Sequence, residues 1–383
     1  MPPLPKRALA DGTKTLTREH SNRIVRPIRK ILVYANIIVI IGMMLTGYAG
    51  VISPASHPYA SLLPFAFPAF MIANMAFLVL WTLVRLRNVW LPLLGFLIAY
   101  SPTQTYFPVN ITTSRPAGCM KVLSYNILAF HSPDGGPNRI MEYLLHSDAD
   151  IICMQEYSQV SGQDSLWRLV DSVYHYRDTL MAREEGKPNS DIIGIWSKYP
   201  IVRKEILPLQ STYNIVGVFD VDIKGNVVHV INTHLQSVGL STEDKDAFSA
   251  MVHGKTDSIA VNQESKMLMH KIMDSSAIRA PQADVVNNYI RRHHDERIIL
   301  MGDFNDPPLS YVHRTIASRL TDCYRTAGHG TGYSFHYHSM YFRIDNIMCS
   351  DHWKPYECIV DNSIDNSDHY PIYCYLKSEI NEE

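Results

Sequence analysis

Between Ile31 and Ile52 the chain reads ILVYANIIVIIGMMLTGYAGVI, without a single charged residue. A run of that length matches the roughly 20 residues needed to cross a bilayer as a helix. The run 60–84, ASLLPFAFPAFMIANMAFLVLWTLV, has the same character, and 89–109, VWLPLLGFLIAYSPTQTYFPV, begins so and turns polar after Tyr100. Three such runs in succession predict a membrane region over 31–110 with three transmembrane helices, about 31–52, 60–84 and 89–109. A cleavable signal peptide does not explain the first run, which is too long and lacks a small-residue cleavage site.

The cations set an orientation. Lys6, Arg7, Lys14, Arg18, Arg23, Arg26, Arg29 and Lys30 stand against only Asp11 and Glu19 before the first run, and Arg85 and Arg87 follow the second. The loop SPASHPY between the first two runs carries neither Lys nor Arg. By the positive-inside rule, residues 1–30 form a basic cytoplasmic tail. After three crossings, a linker over 111–117 leads to a larger domain over 118–378 outside the cytoplasm. The expected localisation is therefore integral to a plasma or inner membrane, with the lipid bilayer as a partner. If the third run only dips in, the domain faces inward.

The formal net charge of −2 among 383 residues exerts no global pull toward nucleic acid or acidic membranes. All six cysteines, Cys119, Cys153, Cys323, Cys349, Cys358 and Cys374, follow the apolar runs, and no pair has metal-site spacing. Several sit in apolar strand-like runs, where a free Cys acts as a small hydrophobe, and no disulfide is expected.

From Lys121 onward the punctuation changes. MKVLSYNI, ADIICMQE, IIGIWS, VVHVINTHL, RIILMGDFN, RIDNIMCS and HYPIYCYL have strand character, with helical stretches at 137–146 and 281–294 between them. In the second of these, Val285, Val286, Tyr289 and Ile290 are spaced for one apolar face. Strands interleaved with helices indicate an α/β or α+β layered sandwich. Almost every strand ends on a residue of catalytic type: Asn126, Glu156, Asn232 with His234, Asp303 with Asn305, Asp345, and Asp368–His369 before the last. One such residue is usually a turn former or a cap. Their recurrence predicts convergence of oxygen and imidazole groups at one sheet edge.

The segments LSYNI, DADIICMQEYS, INTHLQS, MGDFNDPP, RIDNI and NSDHYPI, in this order and spacing, resemble the endonuclease/exonuclease/phosphatase superfamily. That superfamily includes deoxyribonuclease I, exonuclease III-type enzymes, neutral sphingomyelinases and inositol polyphosphate 5-phosphatases. The resemblance implies a four-layer α/β sandwich of two packed β-sheets and a Mg²⁺-dependent phosphodiesterase, with Mn²⁺ as the alternative ion. Mg²⁺ prefers carboxylate oxygens and keeps most of its waters. The resemblance makes Glu156, Asn126 and Asp368 metal contacts, and Asp303 the residue that activates water. Asn305, two positions on and on the same face of an extended segment, would hold a phosphoryl oxygen, with Asn126 and Asn232 as further phosphate-side residues. His369 would donate to the phosphate or assist proton transfer, oriented by Asp345, and His234 would be the second catalytic imidazole.

Asn346 departs from the pattern, since family members commonly place an aromatic after RID. No H-x-x-x-H or Cys/His cluster supports zinc. The stretch 240–276 is read as packed helix or as a lid or lipid-facing helix beside the site. The aromatic run GYSFHYHSMYF is read as strand core or as a base-stacking surface. The expected substrate is a phosphodiester, either a lipid head group or nucleic acid and nucleotide, with no obligate protein partner. The alternative to an enzyme is a catalytically idle, membrane-anchored binding module of the same fold.

Overall fold

A computed structural model describes residues 6–111, 113–132, 136–182, 191–209, 214–241, 244, 258–337 and 340–379, with side chains from Arg26 onward except those of 258–265. The first residues of the expected basic tail and most of 242–257 therefore lie outside the described residues. The chain divides into two compact units, one of residues 1–46 and 66–100 and the other of residues 47–65 and 101–383.

The first unit is built from α1 (Lys6–Gly47), most of α2 (Leu63–Val84) and α3 (Trp90–Ile98). Buried amides cross-link these helices. Asn36 donates to Asn74 Oδ1 at 3.1 Å, Asn74 donates to the Pro92 carbonyl at 3.0 Å, and Trp81 Nε1 donates to Asn36 Oδ1 at 3.1 Å. Within hydrocarbon such side chains join helices because no water competes for them. Two segments, Arg26–Val51 and Pro58–Val84, are long and apolar enough to span a membrane. The third expected span is corrected. Its apolar helix covers only Leu86–Ile98, breaks at Ala99, and resumes as α4 (Tyr100–Tyr106). Pro102 cannot donate to the carbonyl of Ile98, which favours a break or kink here, and Ser101, Thr103 and Gln104 make the continuation polar.

The second unit is a sandwich of two six-stranded sheets. One sheet has the order β13 (Trp353–Val360), β14 (Ile372–Ser378), β1 (Met120–Asn126), β2 (Ile151–Gln155), β4 (Ile192–Ser197) and β3 (Tyr176–Met181). The other runs β5 (Ile201–Ile206), β6 (Ile215–Ile223), β7 (Asn226–His234), β8 (Arg297–Asp303), β12 (Asp345–Cys349) and β9 (Thr321–Asp322). A hairpin of β10 (Phe335–Tyr337) and β11 (Met340–Phe342) stands apart.

Side-chain alternation makes the layers. Val122, Ile151 and Cys153 face Val228, Val230 and Ile299 in the central core between the sheets. Leu123, Tyr125 and Ile152 point the other way, onto α5 (Arg139–His146) and α6 (Asp164–Val173), through Ile140, Leu144 and Val170. Ile298 and Leu300 pack outward on Val286, Ile290, Val312 and Ile316 of α7 (Ser258–Arg292) and α8 (Tyr311–Ile316). Helix, sheet, sheet and helix give the four expected layers. α7 is longer than the stretch 281–294 read from the sequence, because it runs through Pro281 instead of starting there. Its face of Val286, Tyr289 and Ile290 is buried as the spacing predicts, with Val285 partly buried against it.

Each sheet contains one parallel pair, β1 with β2 and β7 with β8, and antiparallel neighbours elsewhere. The segment 47–65 joins this unit through its 3₁₀ turns, Ala49–Val51 against α8 and Pro58–Leu62 against α7.

Candidate active site

Strand register brings three of the singled-out residues into one row. His234, the last residue of β7, pairs with Asp303, the last of β8, and Asp303 pairs with Asp345, the first of β12. Gly302 makes that close approach possible. It has φ +142°, and a Cβ there would stand 2.0 Å from the Thr233 carbonyl oxygen, so a side chain at this position would force β7 and β8 apart.

The opposite sheet contributes Asn126 and Glu156 from the ends of its own parallel pair. Asn126 Nδ2 donates to Glu156 Oε1 at 3.1 Å and lies 3.4 Å from Asp303 Oδ2, bridging carboxylates from the two sheets. Glu156 has φ +51° and Asn305 φ +52°. Left-handed backbone is tolerated by Asn and costs Glu on the order of 1 kcal/mol, and at both positions it ends the strand and turns the chain. The loop after β1 repeats the conformation at Leu128, Ala129 and Phe130, with φ of 43°, 55° and 56°.

Both imidazoles are held by carboxylates. His369 Nδ1 is 2.8 Å from Asp345 Oδ2, and its Nε2 is 3.8 Å from Asp303 Oδ2. His234 Nδ1 is 2.6 Å from Asp191 Oδ2, and its Nε2 lies 3.8 Å from Asp303 Oδ2 and 4.0 Å from Glu156 Oε1. Asp191 went unremarked in the sequence, where a lone Asp before IIGIWS reads as an ordinary turn residue. Its position one residue before a buried strand was the only signal.

Electrostatics follow from burial and crowding. Burial raises the Asp303 carboxyl and the Asp345 charge adds to it, against His369, His234 and the Asn305 amide, leaving it near 6. Burial disfavours a charged His369, but Asp345 and Asp303 outweigh it and lift the pKa to about 10. At His234 burial is overcome in the same way by Asp191, then Asp303 and Glu156, to about 9.

Two of the amides expected on phosphate are used differently. Asn305 lines the cavity, but its Nδ2 donates to the Leu235 carbonyl at 3.0 Å and to Asp303 Oδ2 at 3.2 Å, while its backbone N–H donates to Asp303 Oδ1 at 2.7 Å. It orients the carboxylate and does not reach outward. Asn232 is fully buried and ties the sheets together: Nδ2 donates to the carbonyls of Met154 at 3.1 Å and Gly194 at 3.0 Å, and Oδ1 accepts from Gln155 at 2.7 Å. Its expected place on phosphate is corrected, since no donor remains for a ligand. The Oδ1 of Asn126 accepts from the Leu128 amide at 3.3 Å, which leaves one lone pair for the metal contact expected of it.

Glu156, His234, Asp303, Asn305, Asp368 and His369 open into one cavity of about 650 Å³. A larger hollow of about 900 Å³ beside α8 contains none of these six groups. The donor set fits a hard divalent cation. Asp303, Asp345 and His369 each offer an atom within 4.8 Å of the others, and Asp345 Oδ1 and His234 Nε2 are buried without a hydrogen-bond partner among the described residues. Oxygen-rich sets of this kind suit Mg²⁺ or Mn²⁺.

The chain resembles solved structures at low identity. SmcL is 17% identical, with 68% of this chain and 100% of that chain covered and a TM-score of 0.48. Truncated Caenorhabditis elegans TDP2 is 16% identical, with coverage of 69% and 100% and a TM-score of 0.47. An endonuclease/exonuclease/phosphatase family protein from Bacteroides thetaiotaomicron is 18% identical, with coverage of 69% and 96% and a TM-score of 0.48. No curated protein matches. The profile of a domain of unknown function matches residues 29–106, and that of the Endonuclease/Exonuclease/phosphatase family matches residues 123–369. Spanning both sheets and every candidate site residue, that second match shows that the chain belongs to the endonuclease/exonuclease/phosphatase family.

Proposed function

We propose that the protein is a membrane-anchored, Mg²⁺-dependent phosphodiesterase whose catalytic groups are Asp303, His369 and His234. The observation that supports this best is the row His234–Asp303–Asp345, faced by Glu156 and Asn126 from the other sheet. Phosphoryl transfer depends on positioning and on neutralising charge in the transition state, and Glu156, His234, Asp303, Asp368 and His369 line one cavity.

Asp303 acts as the base for an attacking water. A carboxyl raised to about 6 accepts a proton near neutrality more readily than an ordinary one. Asn305 fixes its oxygens through two donors. His369, steered by Asp345, and His234, steered by Asp191, present Nε2 atoms to the phosphoryl oxygens and the leaving group. Their raised pKa values keep both imidazoles as donors. Glu156 and Asp368, which open into the same cavity as Asp303, would provide oxygens for the cation. The cation would supply charge neutralisation at the phosphate.

Anchoring rests on the two spanning-length segments. The side of the membrane follows from chain continuity. The loop between those segments belongs to the same compact unit as residues 101–383, so both occupy one face of the bilayer, opposite the basic tail. The apolar helix Leu86–Ile98 is too short to cross alone, so the return of the chain would use it together with α4, and the unit over 118–378 would lie outside the cytoplasm.

The test is hydrolysis of a bis-aryl phosphodiester by the full chain in detergent, with Mg²⁺ and with chelator. Chelation should abolish the reaction, and His369→Ala should lower kcat by about 10²- to 10⁴-fold. Chelator-resistant hydrolysis, or wild-type rates in His369→Ala, would refute the proposal.

A further inference from the structure

The cavity that holds the acid–imidazole cluster has a second, unlike wall. Leu62, Phe65, Leu240, Leu268, Met269 and Phe342 line it, and Phe65 packs edge-to-face on Phe342 with ring centroids 5.5 Å apart. Among the described lining residues there is no Lys or Arg. A groove that tracks a nucleic-acid backbone needs cations along it, because phosphate contacts supply most of the affinity. This groove has carboxylates and imidazoles at one end and hydrocarbon at the other.

The origin of the hydrocarbon matters. Leu62 and Phe65 belong to Pro58–Val84, one of the two segments long and apolar enough to span a membrane, and both fall within its first two turns. The same stretch belongs by its contacts to the catalytic unit. If that segment spans a bilayer, covalent continuity keeps this wall of the cavity within a few residues of the segment. α7 completes that wall with Leu268, Met269 and Ile272 and packs on the Pro58–Leu62 turn.

Resting on the phosphodiesterase reading above, we infer that the substrate is a phosphodiester lipid resident in the membrane. Its acyl chains lie along the Leu62–Phe65–Met269–Phe342 wall while its head-group phosphorus reaches Asp303 and His369. Chains that stay covered along this wall never enter water while the head group reaches the acids, and without the wall the exposure would cost more the longer the chain. The part of the lipid that does not react thus decides which substrate can reach the site, and no cationic groove is needed.

The experiment uses the full chain in mixed micelles of one detergent with Mg²⁺. It compares kcat/KM for phosphatidylcholine, phosphatidylinositol and sphingomyelin with short and long acyl chains, and for a single-stranded oligonucleotide. The expected result is that at least one lipid is cleaved and that lengthening its chains raises kcat/KM roughly tenfold or more. Phe65→Asp and, separately, Met269→Asp should reduce the long-to-short ratio by roughly tenfold, which a general loss of fold would not do. Asp303→Asn should lose every activity. Rates independent of chain length, or faster cleavage of the oligonucleotide than of every lipid, overturn the lipid assignment and leave the phosphodiesterase intact. No cleavage of these substrates or of the bis-aryl diester overturns both.

Discussion

Asp303 carries two burdens at once. It is fully buried, and it sits in register with Asp345 across β8 and β12, which drives its carboxyl up to about 6. A carboxyl with a folded pKa above its unfolded value contributes most below the unfolded pKa, and that contribution is lost as pH rises through the folded one. Near pH 7 the ionised Asp303 is therefore a liability to the metal-free fold, tolerated for its chemistry. Asp303→Asn keeps the shape and removes the charge. The variant should melt at a higher temperature than wild type in chelator at pH 7 while losing hydrolysis by about 10²-fold or more. A lower melting temperature would show that the charge is stabilising and that the repulsion argument fails. Asn305 and Asn232 show that the same residue type at the same kind of position can do opposite work. One holds a catalytic oxygen in place, and the other joins two sheets.

At the scale of elements, the second sheet has a charge network far from the site. His229 on β7 meets Asp220 on β6 through Nδ1 at 2.6 Å and Glu296 at the start of β8 through Nε2. The hydrogen bond to Asp220 raises the His229 pKa, burial opposes it, and the bond to Glu296 adds to the rise. Because the folded pKa lies above the unfolded value of about 6.5, the stability this imidazole contributes is complete below that pH. It is lost as pH climbs through the folded value. Denaturant unfolding of the full chain should thus weaken with rising pH above about 6.5, and His229→Gln should flatten that part of the curve. An unchanged slope in the variant would assign the dependence to other groups. The helix α7 is a further lesson at this scale. Pro281 looks like a helix start and is an interior residue, because Ala280, Gln282 and Ala283 are buried on either side and packing carries the helix through.

For the whole molecule, the decisive fact is that residues 47–65 belong with residues 101–383. If Arg26–Val51 and Pro58–Val84 both cross a bilayer, the turn between them lies opposite the tail, and the unit it belongs to would lie there with it. Sealed vesicles of one orientation should therefore yield to protease at only one of two places, the residues before Arg26 or the residues after Ser378. Cleavage of both from the same side would reverse the topology and remove the argument for a third crossing. Parts of the site were legible along the chain. Asp303, Asp345, Glu156 and His234 sit at or just beyond strand ends and His369 in the loop before β14, where alternation and loop chemistry are local properties that a sequence displays. Asp191 was hidden, because what distinguishes it from any turn residue is an imidazole 43 positions away. Asn232 was misplaced for the same reason, since its partners lie on the opposite sheet.

Length, apolar runs and strand-end chemistry, all short-range features, were enough to specify two helices apolar enough to cross a membrane, a layered α/β fold and most of the polar groups around the site. Which carboxylate steers which imidazole was settled only when two sheets packed face to face. Packing also set Leu62 and Phe65, from the start of an apolar segment long enough to span a membrane, on the wall of the cavity that holds Asp303 and His369. These outcomes depend on contacts between residues far apart in the chain, and no local pattern encodes the distance between them.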